Sequence, residues 1–266
     1  MKHATLTVAL LGTLCAPAFA QDRLTDRDVK SLVSRIEDAR DKFDNALDDD
    51  LKNKVLRGPN GEVDVKNFLN DFQKNIDRLE ERLKPEYAAS AEVSTLLKQG
   101  NSIDTFFRQH KPGTKGESEW NRLAGELKTL ATAYGATFPL PENATVRRMG
   151  DGEVAGTAEL LSKSASQLKK SLDADLKKNP AVDKATRDEI LQEADDWSKE
   201  AKALRSRVKD GKPSSAEAEQ VLSRASRLQS FIKNNQVPAT ASAWAGLNGQ
   251  VQALADAYNK PWGSSQ

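Results

Sequence analysis

The sequence predicts an all-α protein: a tandem duplication of an up-down four-helix bundle, eight helices in all, preceded by a signal peptide. Three observations carry that expectation. Apolar residues recur at gaps of three, four and seven along most of the chain, which is the period of one helix face. The stretch Trp120 to Phe138 is echoed by Trp244 to Trp262, with seven of nineteen positions identical, where unrelated segments would share about one. The composition is 38% hydrophobic, 30% charged and only 6% aromatic, which suits amphipathic helices better than β-branched and aromatic strands.

Residues 1–20 read as the targeting segment. Lys2 and His3 form a polar head, Thr5 to Leu14 an apolar run, and Ala18-Phe19-Ala20 places small residues at a cleavage site. The run is too short for a bilayer anchor, and Leu14 before Cys15 does not suit a lipobox. Cleavage leaves a chain beginning at Gln21, periplasmic or secreted, without its one Cys and so without a disulfide. Lys+Arg falls from 40 to 39 against Asp+Glu 39. That balance offers no general attraction to nucleic acid or to an anionic membrane.

The first repeat spans residues 21–140. Its first helix starts at Asp26, capped by Thr25 or Asp26. It carries Val29, Val33, Ile36, Phe43, Leu47 and Leu51, and stops at Gly58-Pro59-Asn60-Gly61. A second helix runs from about Glu62 to Lys84 and ends at Pro85. The third begins near Ser90 and gives way at Lys111-Pro112-Gly113. The fourth holds Trp120, Leu123, Leu127, Leu130 and Tyr134 in 3-4-3-4 spacing. Short turns between four such helices are the pattern of an up-down bundle.

Phe138-Pro139-Leu140-Pro141 breaks the helical pattern, and residues 141–150 read as a linker. The plan then restarts over 151–262, leaving a tail at 263–266. At an offset of 125 residues Asp26 and Val29 recur as Asp151 and Val154. Ile36, Phe43, Leu47 and Leu51 recur as Leu161, Leu168, Leu172 and Leu176, and Ser90-Ala91-Glu92 as Ser215-Ala216-Glu217. The offset becomes 124 before the fourth helix. Polar positions match as well as apolar ones, which heptads alone do not produce. Two separate bundles and one intertwined eight-helix domain both satisfy this register.

No constellation of residues names a reaction. After cleavage the chain keeps one His, His110, and one Met, Met149, so haem and di-iron ligand sets are missing. Asp48-Asp49-Asp50, partly repeated as Asp173 and Asp175, is the best calcium candidate. Residues two apart on a helix point about 200° apart, however, and the adjacent lysines compete. Ser166-Gln167-Leu168-Lys169 matches Ser-x-x-Lys without its companion motifs. Gly150-Asp151-Gly152 lacks the spacing and the preceding strand of a dinucleotide loop. Trp120, Tyr134, Trp244 and Tyr258 offer rings for stacking, yet their spacing puts them on the apolar seam, where they pack the core.

One feature points outward. At 100° per residue Gly125 lies almost opposite its helix's seam, and the same outer face of the eighth helix carries Gly246, Gly249, Ala253 and Ala257. Glycine within an exposed helix costs about 1 kcal/mol against alanine, so its retention in both copies suggests close approach of another helix. These residues are the candidate interaction face, toward the other repeat or a second chain. The expectation is an exported, non-catalytic binding or structural module without cofactor or resident metal. It acts on an unidentified protein partner, or by self-association, through helix faces or the inter-repeat groove. A divalent-metal or small-ligand binder is the alternative, and a carboxylate or Ser-Lys hydrolase a more distant one.

Overall fold

The computed structural model describes residues 23–58, 61–109 and 115–263. The expected leader, Cys15 and His110 lie outside them. Over the described residues the chain is mostly helical, and none of its helices is long and apolar enough to cross a membrane. In order the elements are α1 (Asp26–Ala46), α2 (Asp49–Lys52), β1 (Val55–Gly58), β2 (Gly61–Asp64), α3 (Val65–Arg82), α4 (Ser90–Gln109) and α5 (Glu117–Ala133). Then come α6 (Asp151–Lys178), α7 (Lys184–Lys209), α8 (Ser215–Asn234) and α9 (Pro238–Ala257).

Several helices start where a side chain satisfies the first free backbone N–H groups. Thr25 and Asp28 form a reciprocal capping box at α1. Asp64 caps α3 through the Asn67 N–H, and Asp183 caps α7 through the Thr186 N–H. Within the first half α1 packs on α3 and α5, and α4 packs on α3 and α5, closing a ring. In the second half α6 and α8 each pack on α7 and α9 in the same way. Each ring encloses its own core. One is built around Ile36, Phe43, Phe72, Leu97, Trp120 and Leu127, the other around Leu161, Leu168, Trp197, Leu228, Trp244 and Val251.

The first helix is shorter than its apolar spacing predicts. It ends at Ala46, and the Asp48 carboxylate accepts the Leu51 N–H to start a separate short turn, α2. Beyond it β1 and β2 form an antiparallel hairpin pairing Val55 with Asp64 and Gly58 with Gly61. The expectation of helix up to residue 58, and again from Glu62, is therefore corrected. Asn60-Gly61 is a hairpin signal, and Val55, Val63 and Val65 are β-branched. At the 125-residue offset the hairpin residues correspond to the α6–α7 loop and the first turns of α7. Chain length is matched where secondary structure is not.

The connecting segment is packed rather than loose. Leu140 is buried in the first core, with Ala144 and Val146 against it. Asn101 binds the Leu140 main chain on both sides, its Nδ2 donating to the carbonyl at 2.6 Å and its Oδ1 accepting the N–H at 2.8 Å. The Arg147 N–H donates to the Tyr134 carbonyl at 3.0 Å. This segment delivers Arg147 and Arg148 to the junction between the halves.

Candidate functional site: the junction cleft

The halves meet through two short arms, residues 23–25 before α1 and 148–150 before α6. Each arm carries an arginine that reaches a partner beyond its own helix. Arg23 donates from Nη1 to Asp151 Oδ1 and from Nη2 to the Met149 carbonyl, both at 2.6 Å, and lies 5.8 Å from the centre of the Tyr258 ring. Arg148 donates to Asp26 Oδ1 and, at 2.8 Å, to the Leu24 carbonyl, and lies 5.9 Å from the centre of the Tyr134 ring. The two sets are related position by position: 23 to 148, 26 to 151, 24 to 149 and 134 to 258.

The aspartates complete the exchange. Asp26 N–H donates to Asp151 Oδ2 at 2.8 Å, and Asp151 N–H donates to Asp26 Oδ2 at 2.9 Å. Each carboxylate thus sits at the N-terminus of the other half's first helix, where unsatisfied N–H groups and the helix dipole favour negative charge. The four side chains are sheltered, with Arg148 3%, Arg23 7%, Asp26 12% and Asp151 15% exposed. Charge-assisted pairs in such surroundings are screened little by salt.

Glycine makes the approach close. The Gly152 N–H donates to the Pro85 carbonyl at 3.1 Å, and a Cβ at Gly152 would lie 2.5 Å from that oxygen. A Cβ at Gly150 would lie 2.8 Å from the same atom. The residue matching Gly152 in the first half, Arg27, instead donates to the Gly211 carbonyl at 3.0 Å. Gly150-Asp151-Gly152 is therefore a contact between halves, its helix N-terminus filled by the Asp26 carboxylate.

Beside the arms lies a cleft of about 400 Å³, lined from both halves and the connecting segment. Small residues, among them Ala133, Gly135, Gly249, Ala253 and Ala257, leave the space open, and Met149 adds an apolar surface. Arg147 and Asp256 also line it. Among the described residues the exposed Arg147 guanidinium has no hydrogen-bond or ion-pair partner. The exposed Asp256 carboxylate accepts one hydrogen bond, from Gln252 Nε2 at 2.7 Å, and has no cation beside it. Unpaired charges of both signs on an open, small-residue floor suit a polar ligand carrying a carboxylate for Arg147 and N–H donors for Asp256.

The outward-facing candidates separate in space. Gly249, Ala253 and Ala257 line the cleft, whereas Gly125 and Gly246 do not. Gly125, Gly246 and Gly249 are all exposed, and a Cβ at any of them would meet no atom within 4 Å. Among the described residues no helix of the other half comes within 4 Å of a Cβ at these three positions. Arg23, Arg147, Arg148, Gln252 and Asp256 escaped the sequence reading. The recurrence of Arg23 as Arg148, three residues before Asp26 and Asp151, was the available signal for the first and third.

The acidic candidates have local duties. Asp48 caps α2 and lies 3.6 Å from Lys115. Asp173 pairs with Lys177 and Arg187, whose hydrogen bonds hold its carboxyl below the usual range. Asp175 accepts from the Thr240 N–H and hydroxyl at the start of α9. No group of three or more His, Cys, Asp or Glu gathers for a metal among the described residues. Lys169 of the Ser-x-x-Lys match pairs with Asp195 of α7. No known family, curated protein or solved structure matches the chain.

Proposed function

We propose that the protein is an exported, non-catalytic binding module made of two tandem four-helix units that arose by duplication, and that it works through the cleft between them. The observation that carries the reading is the pair Arg147 and Asp256, both without ion-pair partners, on the walls of a cleft built from both halves. Its volume falls within the range of small-ligand sites, roughly 300–1,000 Å³.

Duplication is supported by positions that keep their duty while changing residue. Gln73 donates to Glu37 at 2.9 Å between α3 and α1, and Ser198 contacts Ser162 at 3.2 Å between α7 and α6, each pair 125 residues from its counterpart. Trp120 packs against Phe43 and Phe107, while Trp244 packs against Trp197, which stands where the first half has Phe72. Leu168, in place of Phe43, offsets the larger indole, as volume-conserving cores tolerate.

The test is capture of ligand from an exported fraction by the chain beginning at Gln21, compared with Arg147→Ala and Ala253→Trp. The first removes the unpaired cation and the second fills the cleft. Capture lost in both variants with unchanged circular dichroism is the expected result. Capture that survives both rejects the cleft as the site.

A further inference from the structure

The junction cleft has a smaller counterpart. A second cavity, of about 50 Å³, lies beside the same arms. Each residue lining it has its match, at an offset of 124 or 125, on the wall of the large cleft. Thr129 matches Ala253, Thr132 matches Asp256, Leu24 matches Met149 and Asn259 matches Gly135. The two are corresponding spaces of the two halves, one open and one nearly filled.

The differences give the large cleft its chemistry. Thr129 and Asn259 stand where it has Ala253 and Gly135, and their bulk takes up the space. The Thr129 and Thr132 hydroxyls donate to the Gly125 and Lys128 carbonyls of their own helix, at 3.1 and 3.0 Å. At the Thr132 position the large cleft carries the charge of Asp256. Arg23 with Arg148 and Asp26 with Asp151, which hold the junction, are the same in both halves. The halves agree where they grip each other and diverge along the lining.

Two helices end at the cleft. Ala133 closes α5 and Ala257 closes α9, and both line it. The last carbonyls of a helix carry partial negative charge, which adds to the Asp256 carboxylate and favours a cation. Three arginines also stand on the walls. Arg23 and Arg148 are committed to Asp151 and Asp26, whereas among the described residues the Arg147 guanidinium has no partner and can take an anion.

We propose that the cleft takes a zwitterion, a free amino acid or a peptide of a few residues. Its ammonium group sits on Asp256 at the end of α9, and its carboxylate on Arg147. The inference rests on the cleft being the functional site and names what fills it. An ammonium group brings three N–H donors to the acidic wall, and a carboxylate accepts paired bonds from a guanidinium. A simple anion would face Asp256, and a polyamine would face Arg147; a ligand with both charges satisfies both. Gly249, Ala253 and Met149 leave room for small or apolar side chains. Amino acids and short peptides share this chemistry and differ in charge separation, each added residue extending it by up to about 3.5 Å.

The experiment is isothermal titration calorimetry on the chain beginning at Gln21. The probes are alanine, leucine and di-, tri- and tetra-alanine, each also as its N-acetyl and C-amide form. At least one free zwitterion is expected to bind, and the length that binds best separates amino acid from peptide. Capping either end is expected to weaken it about fivefold, the upper end for an exposed ion pair. Asp256→Asn removes the advantage of the free amine, Arg147→Gln that of the free carboxylate, and Thr132→Ala in the small cavity leaves binding unchanged. Absence of binding by every probe, capped forms that bind as well as free ones, or a loss in Thr132→Ala equal to that in Asp256→Asn overturns the proposal. Ligand capture from an exported fraction that is lost in Ala253→Trp, while no zwitterion binds, rejects the zwitterion and keeps the cleft. Capture that survives both Arg147→Ala and Ala253→Trp rejects the cleft itself.

Discussion

Asp26 and Asp151 cap each other's helices: each backbone N–H donates to the other's carboxylate, at 2.8 and 2.9 Å. Among the described residues no helices of the two halves pack side by side, so this exchange, with Arg23 and Arg148, carries much of the junction.

Truncating either aspartate weakens the hold on a sheltered guanidinium. Asp26→Ala takes from Arg148 its hydrogen-bonded carboxylate and leaves it only Asp151, at 3.9 Å, whereas Asp151→Ala leaves Arg23 with no carboxylate. Each is expected to destabilise by about 3 kcal/mol, measured by urea unfolding. Because the sites are coupled, the double variant is expected to cost less than the sum. Strict additivity would mean that the two pairs act separately.

Glycines at the junction and on the outer face respond oppositely to a methyl group. Gly152→Ala forces a Cβ against the Pro85 carbonyl and is expected to cost about 1–3 kcal/mol, the range for overpacking. Gly125→Ala and Gly249→Ala meet open space and are expected to stabilise by up to about 1 kcal/mol through helix propensity. Thermal melts of the three variants decide. A destabilising Gly249→Ala together with a change in oligomeric state would show that a partner covers that face.

Alkaline pH is expected to weaken the fold through two tyrosines. Burial raises the pKa of Tyr134, whose hydroxyl donates to the Ala88 carbonyl at 2.6 Å. Burial likewise raises that of Tyr258, against the opposing effects of Ser214 and Arg23. The fold accepts the neutral phenol, whereas in the unfolded chain each ionises near pH ~10. This contribution is whole below about pH 10 and is lost as the pH climbs above it. Urea midpoints between about pH 8 and pH 11 are expected to fall at the alkaline end, less steeply in Tyr134→Phe. An equal fall in that variant would exclude Tyr134 as a source.

The helices were legible because burial imposes a period on the sequence. The seam from Trp120 to Tyr134 is buried throughout, and Thr25 caps α1. The hairpin was hidden because Val55 and Leu56 continue an apolar series and Asn60-Gly61 reads equally as a stop. Arg23 and Arg148 were hidden for a different reason. Their partners lie across the junction, where no local spacing reports them. Arg147 and Asp256 resemble ordinary surface charges until the fold sets them on one cleft.

The reciprocal arm exchange is tested most directly by the distance between spin labels on cysteines introduced at Gly125 and Gly246, in a chain beginning at Gln21. With the arms intact, pulsed dipolar spectroscopy is expected to give one narrow distribution. In the Asp26→Ala/Asp151→Ala variant that distribution broadens and lengthens while helical circular dichroism persists. A distribution unchanged by the double substitution would contradict the account.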